Sequence, residues 1–539
     1  MELLSPAGNR EALVAAIACG ADAVYLGYTA FGARSYAGNF DADGLRDAVA
    51  YAHERGKKIY VTVNTLVKQC ELDDLRDVLD LLSDVRVDAV LVQDMGVARI
   101  IQQSYPHLVL HASTQMTINN AQGARLMKDM GFARVVPARE CTLDELKKMA
   151  DVGVEVEAFA HGALCVAVSG QCLFSSMIGG RSGNRGRCAQ PCRLPYTLED
   201  GTSGYLLSTK DLMLIDRIPE LRDAGVYSFK LEGRMKRPEY VGVITRAYRE
   251  ALDAAEAHVS YHPSQAVIEG LRQVFNRGGF TEGYVMEKSN AALMSWEKPN
   301  HWGISIGKIM SMRGALAQVR LTKALNDGDG LQSRGRQETE FTYSGNDVPA
   351  GAEATVRIAA GQARVGDEIF RLTDAAQMQQ VVSNLEATPG IVKVRADEAI
   401  SNGFLTVRNV ASLISIALIA VLLVISVFII SNTIKLTTFD RREEIAIMRM
   451  VGATNGFIRW PFVYEGLLIG LMGAVIAFGL QWLLYEAISK GIAGSDTLQL
   501  LRVVSFRKIW GPVAGVFGLV GILVGVGGSL TAIRKFLRV

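Results

Sequence analysis

The sequence has almost no net charge, because 57 lysines and arginines stand against 55 aspartates and glutamates, a balance of +2. Bulk charge therefore says little about partners. Cysteine is scarce, with seven in 539 residues. A small, odd number in a large chain argues against a disulfide framework and leaves metal ligands or reactive thiols. Met1–Pro6 offers neither a basic start nor a long apolar run, so no secretory signal is expected and the first domain is expected to fold in the cytoplasm. Several signatures are missing too. No strand is followed by Gly-x-Gly-x-x-Gly or by a Walker loop; Gly303–Ile309 has the wrong spacing and lacks Ser or Thr after Lys308. His53 and Glu54 are followed by Lys57 where a zinc protease needs its second histidine, and no Gly-x-Ser-x-Gly elbow occurs. Motifs of this kind lend proteolysis no support.

What is present divides in two. Up to about residue 400 charges are spread evenly and apolar runs are short; beyond residue 408 three apolar stretches follow, at about 410–431, 461–485 and 510–531. Each reaches the ~20 residues that cross a bilayer core as a helix. A soluble part is thus expected to precede an all-α membrane domain of three transmembrane helices. In the soluble part, apolar strands are expected at Glu2–Ser5, Ala23–Leu26, Ile59–Asn64, Ala89–Val92, Leu108–Ala112, Arg134–Pro137, Val154–Phe159 and Ser228–Leu231. Helices such as Glu11–Cys19 and Leu72–Leu82 carry apolar residues three and four apart. The alternation predicts an α/β fold, an eight-stranded TIM-like barrel, with a doubly wound open sheet as the alternative. Residues 300–375, with Gly328–Gly330 and Val365–Glu368, read as a small β domain. The expected division is a barrel over 1–245, a helical linker and small β domain over 246–378, a linker over 379–408, and the membrane domain over 409–539.

In such a barrel the chemistry sits where strands end. Those positions hold Asn64, Gln93, Asp94, Ser113, Gln115, Arg139, Glu140, His161, Lys230, Glu232 and Arg234, a polar and charge-balanced ring. The sharpest chemical signal follows the seventh strand: Cys165, Cys172, Cys188 and Cys192 lie within 28 residues, in a segment rich in glycine and arginine. Four soft donors on one loop suit an iron–sulfur cluster; zinc, which usually takes two tight cysteine pairs, is the alternative. Arg181, Arg185, Arg187 and Arg193 surround them. Arginine forks suit phosphate or carboxylate, so an RNA backbone, a small dicarboxylate or a merely solvated basic loop all fit. Cys19, Cys70 and Cys141 stand singly and read as packing residues.

Glu157–Cys165 followed by Gly170–Ser175 resembles the signature of the collagenase-like peptidase family, U32. Leu4–Gly8, Arg181–Arg193, Lys230–Arg234 and Phe275–Thr281 carry further matches, and the resemblance covers about residues 1–378. It implies a 4Fe–4S cluster on Cys165, Cys172, Cys188 and Cys192. It further implies oxygen-independent hydroxylation of a tRNA or 23S rRNA base, or of a small aromatic ring, with a collagenase-like protease as the rival activity. On this reading Glu157, His161, Arg139 and Glu140 are the catalytic candidates, and Asn64, Gln115, Arg185, Lys230, Glu232 and Arg234 the candidates for holding substrate.

From about residue 380 the resemblance changes. Ile430–Leu436, Arg442–Thr454 and Ile458–Gly466 are similar to the last part of the cell-division protein FtsX, the permease-like partner of the ATPase FtsE. The charged, amphipathic residues 436–456 are too polar to span and are expected to lie along the membrane and meet that ATPase. Glu465, near the start of a span, is costly in lipid and a candidate functional residue. The similarity implies that 379–408 are the end of the FtsX-like outside domain and a linker, followed by the last three of four spans. This topology would place the residues before Val410 outside, whereas the barrel is expected inside. The two halves therefore read as a fused frame joined at about 375–388, on a cell membrane with the barrel cytoplasmic.

Overall fold

The computed structural model describes residues 1–35, 37–286, 291–335, 338–359, 361–386, 419, 421–494 and 506–536. Most of the expected linker over 379–408, the start of the first span at 410–418, and the last three residues lie outside these. The chain divides into two units, Met1–Val394 and Arg395–Val539.

In the first unit eight parallel strands form in the expected places: Glu2–Pro6, Ala23–Gly27, Lys58–Val63, Ala89–Val92, Leu110–Ala112, Arg134–Val135, Glu155–Ala163 and Ser228–Leu231. Each pairs with the next, and the eighth pairs in parallel with both the first and the seventh, so the sheet closes into a barrel. The doubly wound alternative is excluded by that closure. Helices cover the outside because their apolar stripes match it: Leu75, Val78, Leu79 and Leu82 of Leu72–Asp84 are all buried. The helix Pro238–Glu256 runs across position 245 and packs on the helix Arg10–Ala18 and the first strand.

Two additions follow the barrel. The short strand Asp211–Met213 pairs antiparallel with the end of the seventh strand, and Phe280–Thr281 pairs with it in turn. Six antiparallel strands between Ile304 and Thr373 make a separate sheet around Ile306, Ile309, Val319, Leu331 and Ile369. Within it Asp329 is fully buried; it accepts from the amides of Asn326 and Ala375 and pairs with Arg371 at 3.4 Å.

The second unit holds three helices long and apolar enough to cross a membrane, Val421–Asp440, Gly456–Ala487 and Trp510–Leu530. The expected membrane-surface segment 436–456 is shared out differently. Its first residues finish the first of these helices, and Arg442–Met450 forms a short helix of its own. The last two long helices meet backbone to backbone. A Cβ on Gly470 would lie 2.2 Å from the Gly521 carbonyl, and one on Gly525 would lie 2.3 Å from that of Gly466. Glycines four apart on both helices permit this approach.

Candidate functional site

The strand starts and the strand ends of the barrel do different jobs. At the starts, Arg134 is almost wholly buried and reaches Glu2 at 2.5 Å, Glu155 at 2.8 Å and Glu157 at 3.1 Å. Tyr60 and Ser228 donate hydroxyls to Glu2 at 2.6 and 2.8 Å. Glu157 is fully buried and also accepts from Lys230 at 2.7 Å. Burial alone would raise the Glu157 carboxyl, but Lys230 and Arg134 outweigh it and hold the group below the ordinary range. Glu157 is thus a charged link between the floor of the barrel and Lys230, whose ammonium lies 4.3 Å from the Tyr25 ring.

At the strand ends a second polar layer closes the mouth. Glu232 pairs with Arg139 at 3.1 Å and with Arg34 at 3.6 Å. Burial would raise Glu232, but Arg34 and Arg139 lower it below the ordinary range. Arg139 stacks 3.9 Å over Phe159. Arg234 crosses the mouth to donate to Thr62 at 2.7 Å and to Asn39 at 3.2 Å. Glycine at position 27 makes room for it, since a Cβ there would lie 2.7 Å from that guanidinium. Asn64 accepts from the Ala33 amide at 2.9 Å and donates to Ser113 at 3.3 Å. Glu140 accepts from the amide and the hydroxyl of Ser169 through one oxygen. Its other oxygen has no partner among the described residues, and neither do Gln93 Oε1, Gln115 Oε1, Arg139 Nε and Arg234 Nε. Buried polar atoms are rarely left unpaired, so these donors and acceptors are open to water or to a ligand at the mouth.

The cysteine loop sits on this mouth. Gly170 and Gly186 adopt positive φ and touch backbone that any side chain would strike, the Gln115 carbonyl at 2.2 Å and the Gly32 carbonyl at 2.6 Å. Arg193 ties the loop's two ends together. It donates to Leu164 O at 3.2 Å, beside Cys165, and to Ser208 and Thr209 at 2.7 and 3.0 Å. Burial raises the Cys192 thiol, Arg193 offsets part of this, and Cys165, Cys188 and Cys172 add to the rise, so each of those three lies within electrostatic reach of Cys192. Cys188 and Cys165 also lie within reach of Arg34. Among the described residues no three ligating side chains are grouped about a single ion position. Four thiols on one loop are soft donors of the kind that iron–sulfur clusters and zinc both take.

The structure separates the expected site residues into groups. Arg139, Glu140, Asn64, Gln115, Lys230, Glu232 and Arg234 converge at the mouth. Arg185 lies on the cysteine loop and pairs with Glu71 at 2.5 Å. Glu157 belongs to the interior ion network. His161 turns away from the mouth: it is buried, meets Tyr248 at 3.3 Å, and packs on Tyr240 and Phe280. Burial lowers its pKa to about 3. Cys141 is buried as expected of a packing residue, whereas Cys70 is exposed. Sequence reading missed Arg34, in a loop without regular structure, and Arg134, at a strand start where no chemistry is expected.

Residues 8–295 match the model described as peptidase family U32, and residues 416–539 match that of the FtsX-like permease C-terminal part. A 23S rRNA 5-hydroxycytidine synthase of Escherichia coli is 39% identical over 346 residues, covering 61% of this chain and 52% of that protein. An uncharacterized protease of Methanocaldococcus jannaschii is 36% identical over 351 residues, covering 61% of this chain and 85% of that one. A tRNA hydroxylation protein of Bacillus subtilis is 39% identical over 266 residues, covering 47% and 63%. The chain thus spans about half the length of the Escherichia coli relative.

Proposed function

Because the chain belongs to peptidase family U32 through residues 8–295, we propose that its barrel hydroxylates an RNA base and does not cleave peptides, with Cys165, Cys172, Cys188 and Cys192 holding a 4Fe–4S cluster. The observation that carries this reading is the seating of the cysteine loop on a mouth rich in unpaired polar atoms. Gln93, Gln115 and Glu140 each offer a free buried acceptor, suited to the N–H donors on a base edge. Arg34 and Arg139, held in place by Glu232, offer guanidinium groups for phosphate or carboxylate. Bound there, the cluster would supply electron-transfer chemistry. Against the rival reading, His161 is buried and its Nδ1 meets Tyr248 at 3.3 Å, so it is not placed as a base at the mouth. Two of the similar proteins named above carry RNA hydroxylation in their names, and one is named a protease.

The second unit is read as an FtsX-like interaction module in a cell membrane, with Arg442–Met450 as the contact for an FtsE-type ATPase. That contact needs the FtsX-like orientation, whereas a barrel kept in the cytoplasm with its RNA substrate would put Arg442–Met450 on the far side of the membrane. Charge reversal at Arg441 and Arg442 that left co-purification with FtsE unchanged would remove that contact from the account.

The test of the barrel reading is anaerobic purification of the full chain in detergent. Brown protein with about four irons per chain is expected, and Cys172→Ser should lose the colour. Colourless protein holding one zinc would contradict the cluster. Steady gelatin cleavage by iron-free protein would favour the protease.

A further inference from the structure

A cleft of about 310 Å³ opens between the segment after the eighth barrel strand and the end of the small β sheet, within the first unit. That volume lies in the range of small-molecule sites. Phe275 forms one wall. His301 stacks on it at 5.2 Å with the rings 15° apart. The histidine is fixed as a neutral ring: its Nδ1 accepts from the Asn276 amide at 3.1 Å, and its Nε2 faces the carbonyls of Gln273 and Leu372. Burial lowers its pKa to about 4. It therefore brings no charge to the cleft.

Lys236 does. Its ammonium lies 2.8 Å from the centre of the Phe275 ring and 5.8 Å from that of Tyr240. Among the described residues no carboxylate stands within ion-pair distance of it. Asp374, which also lines the cleft, is taken by Arg371 at 2.8 Å. Burial, followed by the repulsion of Arg277, brings the Lys236 pKa down to about 7. Asp211 attracts the ammonium, but that carboxylate is held by Arg277 at 2.5 Å. A half-buried ammonium on aromatic faces, with no carboxylate in ion-pair contact, is an electrostatic deficit that a bound anion would reduce. Met235, Val274, Leu372 and Met378 add apolar surface to the lining, beside the polar Arg237, Glu239, Gln273, Thr373 and Gln377.

We propose that this cleft binds a small organic carboxylate, with its charge on Lys236 and its apolar body against Phe275, Met235 and Met378. The site does not depend on the hydroxylation reading or on the cysteine loop. Fluorine NMR of the full chain in a neutral detergent tests it, with para-fluorobenzoate as the probe and para-fluorobenzamide as its neutral counterpart. Saturable benzoate binding is expected. Lys236→Gln should weaken it at least about tenfold, as for loss of a charge-assisted hydrogen bond, and Lys236→Arg should retain it. Met378→Trp, which fills the cleft and leaves the lysine in place, should abolish it, and inorganic phosphate should not compete. Circular dichroism of each variant establishes that it is folded. Equal binding by a folded Lys236→Gln variant, equal binding of benzamide, displacement by phosphate, or no saturable binding to the wild-type chain would each overturn the proposal.

Discussion

Replacing Arg134 with methionine removes a cation shared by Glu2, Glu155 and Glu157. Breaking a buried ion network from one side leaves its partners charged and unpaired, which costs about 3–5 kcal/mol. That loss should appear as faster hydrogen exchange in the strand amides of Ala23–Gly27 and Ser228–Leu231. Acid should weaken the barrel in two stages. His161 stays neutral in the fold, its pKa lowered from 6.5 to about 3 by burial. Between those values the unfolded chain binds the extra proton, so stability falls as the pH falls. His161→Phe should flatten this first stage. Glu2 and Glu157 are lowered from 4.5, so their contribution is complete above that value and is lost as the pH drops further below it. The phenylalanine variant should keep this second stage. A wild-type stability profile flat from 6.5 to 4.5 would contradict the placement of His161. None of this was legible from the residue types. Glu157 and His161 both stand in a motif that invites a catalytic reading, and only their burial and partners show that one braces the interior while the other packs outside the mouth.

Among the elements, the barrel strands were readable because continuous apolar runs of four to six residues between amphipathic helices admit few alternatives. The cysteine loop was readable by composition, not by shape. Its seating depends on Gly170 and Gly186 meeting the Gln115 and Gly32 carbonyls, contacts between segments far apart in sequence. Gly170→Val should unseat the loop, lowering iron content while the barrel amides keep their exchange protection. The membrane helices show the same divide. Their length was plain from hydropathy, but the pairing of Gly466 and Gly470 with Gly521 and Gly525 was not. Gly470→Leu should force those helices apart, because a side chain there meets the Gly521 carbonyl. Earlier thermal aggregation of the variant in detergent is the expected readout.

For the molecule as a whole, the two matched segments impose opposite demands. A barrel that modifies RNA belongs inside the cell, and its first following span then runs outward. The end of the helix Val421–Asp440 and the helix Arg442–Met450 would emerge outside, away from any cytoplasmic ATPase. A cysteine introduced at the exposed Asp440 should therefore react with an impermeant reagent added to intact cells. Protection there would favour the FtsX-like orientation. The central claim, that the barrel hydroxylates an RNA base through its cysteine loop, is tested most directly by nucleoside mass spectrometry. RNA would be taken from cells carrying the full chain or its Cys172→Ser variant, in a strain without related enzymes. The account predicts one pyrimidine gaining a single oxygen with the wild-type chain and not with the variant; identical RNA from both, with iron bound in the wild-type protein, would contradict it.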